Sequence, residues 1–300
     1  MALGLMALSA LLFSTMNFLA RVATASTSWA TIASTRAVIG AVVAYGVARA
    51  RGGSVAAKDY RAVFWRSFFG TISMLSTFYA LSSKTLSLGD VVTLLNVSPL
   101  FLALLAPFVL KERTSKLVAV AIVVALTGVV FVVRPSFVFG SGAAIAFSGS
   151  IAHAGGPSAT VTVMVAIGAA LSTSIAMMML RRVGQTESPE AIAFHFSCFA
   201  AVVLTGISLF DLRAPSPRDA VFMLLAGICA GIGQLSMTRA YSLENAARVG
   251  GMSYLAVPAS ALLGTVFLDE HLGPTTTVGM ILVMIGGVLV TTRPRVPSPP

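Results

Sequence analysis

The sequence predicts an all-α integral membrane protein. Ten transmembrane helices form two inverted five-helix repeats around a central cavity, with the N- and C-termini cytoplasmic. Three observations predict this. Of 300 residues, 57% are hydrophobic and only 10% charged, with a mean hydropathy of +0.92; soluble domains carry roughly 45–50% apolar and about 25% charged residues. The apolar residues fall into runs of about 20, the length that crosses a bilayer. Short motifs recur once in each half of the chain at a nearly constant offset.

The runs lie at about 2–22, 29–48, 62–82, 88–110, 116–134, 158–180, 189–210, 219–241, 246–268 and 274–292. The first resembles a secretory leader, because Ala23-Thr24-Ala25 imitates a cleavage site. No positive charge precedes it, however, and Arg21 follows it, so it reads as span 1. Gaps between runs hold Gly, Pro, Ser or charge, as turns do. The stretch over 136–157, rich in Gly, Ala and Ser, is too weakly hydrophobic for a span and reads as an extracytoplasmic connection. The domain organisation is therefore a first repeat over 1–135, that connection, a second repeat over 158–294 and a cytoplasmic tail over 295–300.

The net charge of +10 would suggest nucleic acid in a soluble protein. Here the basic residues sit mostly in gaps between spans, with no aromatic-interleaved stripe, so they read as topology signals and nucleic acid is excluded as a partner. With the N-terminus inside, fourteen Lys and Arg fall on the cytoplasmic side, Arg66 among them, and five outside; Arg36 lies within span 2. That bias sets the orientation. Cys198 and Cys229 lie inside spans without a CxxC or His/Cys cluster and read as packed thiols. No cofactor and no metal site is expected.

The internal repeat carries the functional reading. Ser98-Pro99, Leu110-Lys111-Glu112 and Arg134-Pro135 are echoed by Val257-Pro258, Leu268-Asp269-Glu270 and Arg293-Pro294 at offsets of 159, 158 and 159. Five is odd, so a duplicated five-span unit enters the membrane from the opposite side, giving a pseudo-two-fold axis in the membrane plane. Inverted repeats of this kind let each half adopt the other's conformation and expose one central site to either side, which is how many secondary transporters work.

With Ala33-Ser34-Thr35-Arg36-Ala37, Phe78-Tyr79-Ala80-Leu81, Ser98-Pro99-Leu100-Phe101 and Leu110-Lys111-Glu112-Arg113 in the first half, and Ala240-Tyr241, Tyr254-Leu255-Ala256-Val257-Pro258 and Leu268-Asp269-Glu270 in the second, the chain resembles the drug/metabolite transporter superfamily in its EamA-type ten-helix branch. Within that branch it is most similar to YddG-type exporters of aromatic and other neutral amino acids. The resemblance implies a basket of helices in the inner membrane, a cavity lined by spans 1, 3, 4, 6, 8 and 9, and amino-acid export by alternating access. It implies a small-molecule substrate and a bilayer as partners, and a monomer or weak homodimer. The same fold carrying drugs, nucleotide sugars or other metabolites is the alternative. His195 stands where the first copy has Arg36.

Candidate site residues follow from span geometry. In span 8, Gly227, Gly231, Gln234, Thr238 and Tyr241 share one face at spacings of 4, 3, 4 and 3. They read either as a cavity wall that hydrogen-bonds substrate or as a glycine packing face with Gln234 as interhelical glue. Asn17 is the deepest polar residue of its face in span 1, and Asn96 lies on a stripe with Pro99 in span 4. Met74, Phe78, Tyr79, Met177, Met237, Met252 and Tyr254 offer soft or aromatic surface to a bulky solute. Pro99 and Pro258 occupy equivalent places in the two copies and read as hinges or as static kinks. Arg36 and His195 are candidate charge contacts, Arg36 either snorkelling to the headgroups or meeting a substrate carboxylate. No Walker sequence occurs and no carboxylate lies in mid-span. An enzyme would need a catalytic constellation within a span, and His153, His195 and His271 fall in three separate regions. A passive channel would favour a continuous polar ring, and neither is expected.

Overall fold

The computed structural model describes residues 1–24, 26–83, 85–110, 116–133, 159–211, 214–244, 249–250 and 252–291. The expected connection over 136–157, the tail over 295–300, and the repeat motifs at Lys111-Glu112, Arg134-Pro135 and Arg293-Pro294 lie outside the described residues. Among the described residues the chain is helical, without strands: α1 (Ala2–Ala23), α2 (Trp29–Ala50), α3 (Tyr60–Leu81), α4 (Leu88–Leu95), α5 (Ser98–Leu110), α6 (Lys116–Val133), α7 (Ala159–Val183), α8 (Pro189–Ser208), α9 (Pro217–Leu243), a 3₁₀ turn (Met252–Leu255), α10 (Ala256–Phe267) and α11 (Pro274–Thr291).

Capping chemistry sets several starts. Asp59, Ser188 and Ser216 accept a backbone N–H three residues on and begin α3, α8 and α9, the latter two with proline at the first helical position. Ser87 and Asp90 form a reciprocal capping box at α4. Among the described residues five helices, α1, α2, α7, α8 and α9, are long and apolar enough to cross a membrane, and α5, α6, α10 and α11 contribute to shorter apolar helices.

Burial is turned inside out relative to a soluble protein. Val42, Met164, Val202 and Leu262 are at least 64% exposed, whereas Ser9, Ser14, Thr93, Thr162, Ser174 and Ser260 are fully buried. Hydrocarbon on the outside and hydroxyls facing neighbouring helices is the arrangement a bilayer favours. All of these hydroxyls but that of Ser260 bond locally or across helices: Ser9 donates to the Gly233 carbonyl at 2.8 Å and Ser14 to that of Ala256 at 3.1 Å.

Helix pairing has a regularity. α1 packs along α9, and α7 along α3. α2 contacts α8 and α9, while α8 contacts α2 and α3. α5 lies against α7, as α10 lies against α1, and α6 pairs with α11. Exchanging the first five segments with the second maps each of these contacts onto another in the set or, for α2–α8 and α6–α11, onto itself. The α6–α11 pair is especially close: a Cβ on Gly128 would stand 2.7 Å from the Gly279 carbonyl, and one on Gly279 2.7 Å from that of Gly128.

Candidate functional site

Two spans expected to be continuous are broken where they approach the centre. The helix of span 4 stops at Leu95, turns through Asn96 and Val97, and restarts as α5 with Pro99 in its first turn. In span 9 the 3₁₀ turn precedes α10, whose third residue is Pro258. Proline has no N–H to give the carbonyl four residues back, so Pro99 and Pro258 free Leu95 and Tyr254. Both prolines therefore sit in the first turn after a break, where proline is tolerated.

The break at Asn96 opens onto a cavity of about 220 Å³, bounded by α1, α2, α3, the α4–α5 break, α7, α8, α9 and the start of α10. Met6 near the start of α1 and Met177 and Tyr241 near the ends of α7 and α9 line it, so it lies toward the rim that holds those helix ends. Of the residues selected from the sequence, Asn17, Arg36, Met74, Phe78, Asn96, Pro99 and Gln234 line this cavity.

Met177, Met237 and Tyr241 line it as well, whereas Tyr79, Thr238, Tyr254, Pro258 and His195 lie elsewhere. Tyr79 is half-buried and meets Trp29 edge-on at 5.6 Å. Thr238 is buried behind Gln234, donating to its main-chain carbonyl at 2.8 Å and accepting from its Nε2 at 3.3 Å. The ring of Tyr254 lies directly over Gly287 of α11, and Pro258 is exposed. His195 packs edge-on against Tyr60 and Phe194, at 5.8 and 5.7 Å. The span-8 face divides for a geometric reason: Gly227 and Gly231 are covered by Ile39 and Val43 of α2, while Gln234 and Tyr241 reach the cavity. Glycines admit the neighbouring helix; the residues a turn or more beyond them are free to face the opening.

The polar groups are unevenly satisfied. Asn96 donates its Nδ2 to the Val92 carbonyl at 2.9 Å. The Oδ1 of Asn17 is buried without a partner. Ser73 and Thr173 share a hydroxyl hydrogen bond across α3 and α7. Met6, Met16, Met74, Met177 and Met237 supply a soft, adaptable wall.

One correction bears on the site directly. Arg66, counted among the headgroup-facing charges in the sequence reading, is 1% exposed and lines the cavity. It lies on the α3 face that continues to Gly70 and Met74, at i, i+4 and i+8, and this face turns inward. That spacing was the signal available in the sequence. Arg36 joins it, 7% exposed, so it does not snorkel outward. Each guanidinium faces the ring of Phe196, at 4.4 Å for Arg66 and 5.8 Å for Arg36. Arg36 Nη1 also donates to the Met74 thioether, a weak acceptor. An arginine within a span costs about 2.5–3.5 kcal/mol on insertion scales, so two in one cavity make it a candidate binding site.

Gly70 makes room for this arrangement. A Cβ there would collide with Arg66 Nη1 and come within 2.9 Å of Phe196 Cε2. Gly70→Ala is expected to displace the guanidinium, the more flexible neighbour, while leaving the helix bundle assembled. A melting temperature close to the parent's, with transport reduced several-fold, would check this.

Comparison with known proteins agrees with this architecture. The EamA-like transporter family matches residues 1–134 and again 160–292. The pseudopaline exporter CntI of Pseudomonas aeruginosa (strain UCBPP-PA14) is 25% identical over 285 residues, 95% of this chain and 93% of its own length. Solute carrier family 35 member G1 of Mus musculus is 27% identical over 235 residues, 77% of this chain and 61% of its own. A crystal structure of a protein 20% identical in sequence superposes with a TM-score of 0.69, covering 96% of this chain and 95% of that one; at that identity it speaks for the fold alone. With a family match over both halves, the chain belongs to the EamA-like transporter family and is a multi-pass membrane transporter.

Proposed function

We propose that this chain is a secondary transporter of the inner membrane that exports carboxylate-bearing small organic solutes by alternating access, amino acids first among them. The observation that carries the reading is the cavity between the two halves, where amides, hydroxyls and cationic groups converge on a wall of methionine and phenylalanine. A bulky or aromatic side chain suits that wall, and this is as far as a YddG-type specificity is supported. The exchange-symmetric helix pairing and the family match to each half favour an inverted duplication of five spans. The basic-residue bias places the rim nearest the cavity in the cytoplasm, and a relative named as an exporter fits outward net movement.

The test is uptake into liposomes holding the purified full-length protein, with radiolabelled aromatic, aliphatic and acidic amino acids, with and without a pH gradient. Saturable uptake is expected. Gln234→Ala and Asn96→Ala are each expected to lower it several-fold without lowering expression. Normal transport by both variants would mean that substrate does not bind here. An inert panel with folded protein would move the cargo to drugs or nucleotide sugars.

A further inference from the structure

Two buried arginines in one cavity pose an electrostatic problem that a neutral cargo does not solve. Arginine stays protonated in proteins. Its two distances to the shared Phe196 ring cap the separation of the guanidiniums at about 10 Å. No Asp or Glu lines the cavity among the described residues, and the Arg21–Glu270 and Arg51–Glu190 ion pairs belong to the loops and helix ends instead. Nε of Arg36, and Nε and Nη1 of Arg66, are buried with no hydrogen-bond partner. The ring of Phe196 attracts both cations through its face, but it accepts no N–H in the fork geometry a guanidinium presents, and it does nothing to reduce their mutual repulsion.

Resting on the transporter reading above, we infer that the Arg36–Arg66 end of the cavity binds a doubly anionic head, so that the cargo is an organic acid with two negative charges and an apolar body. A guanidinium pairs with a carboxylate or phosphoryl oxygen through parallel hydrogen bonds. A single α-carboxylate occupies one arginine and leaves the second buried and unpaired, the costlier arrangement. The neutral amino acids expected from the sequence are of that kind. Their ammonium group would also find no carboxylate in the lining, only neutral acceptors such as the amide oxygens of Asn17, Asn96 and Gln234, the Leu95 carbonyl and hydroxyl oxygens. A dianion matches both cations, and its apolar body then lies along Met74, Phe78 and Met177.

The distinguishing probes share an apolar body and differ in charge: phenylsuccinate, phenylpropionate and phenylalanine, with inorganic phosphate and chloride alongside. Thermal unfolding of the full-length protein in detergent reads binding, since a ligand of the folded state raises the melting temperature by mass action. Counterflow in liposomes reads transport. Phenylsuccinate is expected to bind and exchange, with phenylpropionate and phenylalanine at least about tenfold weaker. Arg66→Gln and Arg36→Gln should each reduce the phenylsuccinate affinity roughly tenfold or more. Gly70→Ala, which keeps both charges but moves one, provides a variant whose folding does not depend on removing an arginine, and it should weaken phenylsuccinate in the same sense.

Equal affinity for phenylalanine and phenylsuccinate would overturn the inference, as would arginine variants that retain phenylsuccinate binding. Stabilisation by chloride or phosphate that no organic dianion displaces would do the same. If neutral amino acids are transported and phenylsuccinate is not, the dianion assignment fails and the transporter reading stands. If no probe in either panel binds or moves with folded protein, the dianion assignment and the carboxylate-export reading both fail, and the cargo moves to drugs or nucleotide sugars.

Discussion

Replacing Gly279 with leucine is expected to separate α11 from α6 and to lower the melting temperature more than other single substitutions on the helix surfaces. Here the two backbones touch. A Cβ on Gly279 would stand 2.7 Å from the Gly128 carbonyl oxygen and 2.9 Å from the Val132 nitrogen. Further along, a Cβ on Gly286 would meet the Ala121 carbonyl at 2.7 Å. In lipid there is no hydrophobic drive to hold helices together, so close packing of small residues provides much of the association. An intruding side chain must push backbone rather than a side-chain tip, and overpacking of that kind costs roughly 3 kcal/mol. Gly168 in α7, whose Cβ would meet nothing within 4 Å, is the control: Gly168→Leu is expected to be neutral or mildly stabilising through helix propensity. Thermal ramps in detergent, read by size-exclusion recovery, compare the two. Equal losses at 168 and 279 would remove the α6–α11 contact from the account of stability.

Arg21→Ala is expected to open the rim opposite the one nearest the cavity. Arg21 ends α1 and gathers three elements: it donates to the Leu81 carbonyl at 3.2 Å, to that of Leu86 at 2.6 Å and to Glu270 Oε1 at 3.2 Å. Glu270 Oε2 in turn accepts from the Leu88 N–H at 2.7 Å, so the loop after α10 is tied to the start of α4. Both side chains are largely enclosed, at 12% and 15% exposure. Removing one partner of such a pair leaves the other charge poorly solvated, at a cost near 3 kcal/mol. An equilibrium between rim-closed and rim-open states shifts about tenfold per 1.4 kcal/mol, so a change of this size exceeds a hundredfold. A cysteine at Ser83, fully buried under this rim, in a background lacking Cys198 and Cys229, reports it through an impermeant maleimide. Unchanged labelling after Arg21→Ala would show that the network does not hold the rim shut.

The same rim is expected to respond to pH. Burial pushes the Glu270 carboxyl above its ordinary range, while Arg21 and the Leu88 N–H pull it back and Asp90 pushes it further up. A group whose pKa is raised in one state favours that state when protonated. The closed rim therefore gains as pH falls, and its advantage is lost as pH rises through the raised value. Labelling of the Ser83→Cys reporter should accelerate with pH beyond the thiol's own titration. Glu270→Gln should abolish the excess, and its persistence in that variant would assign the response to another group.

Much of the architecture was legible in the chain because the bilayer demands it locally. The cores of α1, α2, α7, α8 and α9 lie where hydropathy placed spans 1, 2, 6, 7 and 8, since each membrane segment satisfies its own backbone and is read largely from its own residues. The proline at each break was visible as well, because its missing N–H acts within one turn. Asn17, Asn96 and Gln234 were found from facial spacing and Met74 and Phe78 from the soft or aromatic surface they offer, and all five reach one cavity.

What spacing does not encode is which face of a helix meets which neighbour. Gly227 and Gln234 share a helical face, yet one meets Ile39 and the other the cavity, because α2 covers only part of α9. Tyr254 has the chemistry of a substrate contact and is used instead to fill the notch at Gly287. Arg66 shows the difference most clearly. Its sequence context near the start of a span made it one more topology charge, and only the packing of α3 against α8 places it over Phe196 beside Arg36. Apolar content, the positions of the five long spans and the recurrence of motifs in the two halves were properties of the sequence itself, because they depend on local transfer free energy and on similarity within one chain. The convergence of two cations from different helices was decided by tertiary structure alone, because it depends on how the helices are rotated about their axes, which no single segment records.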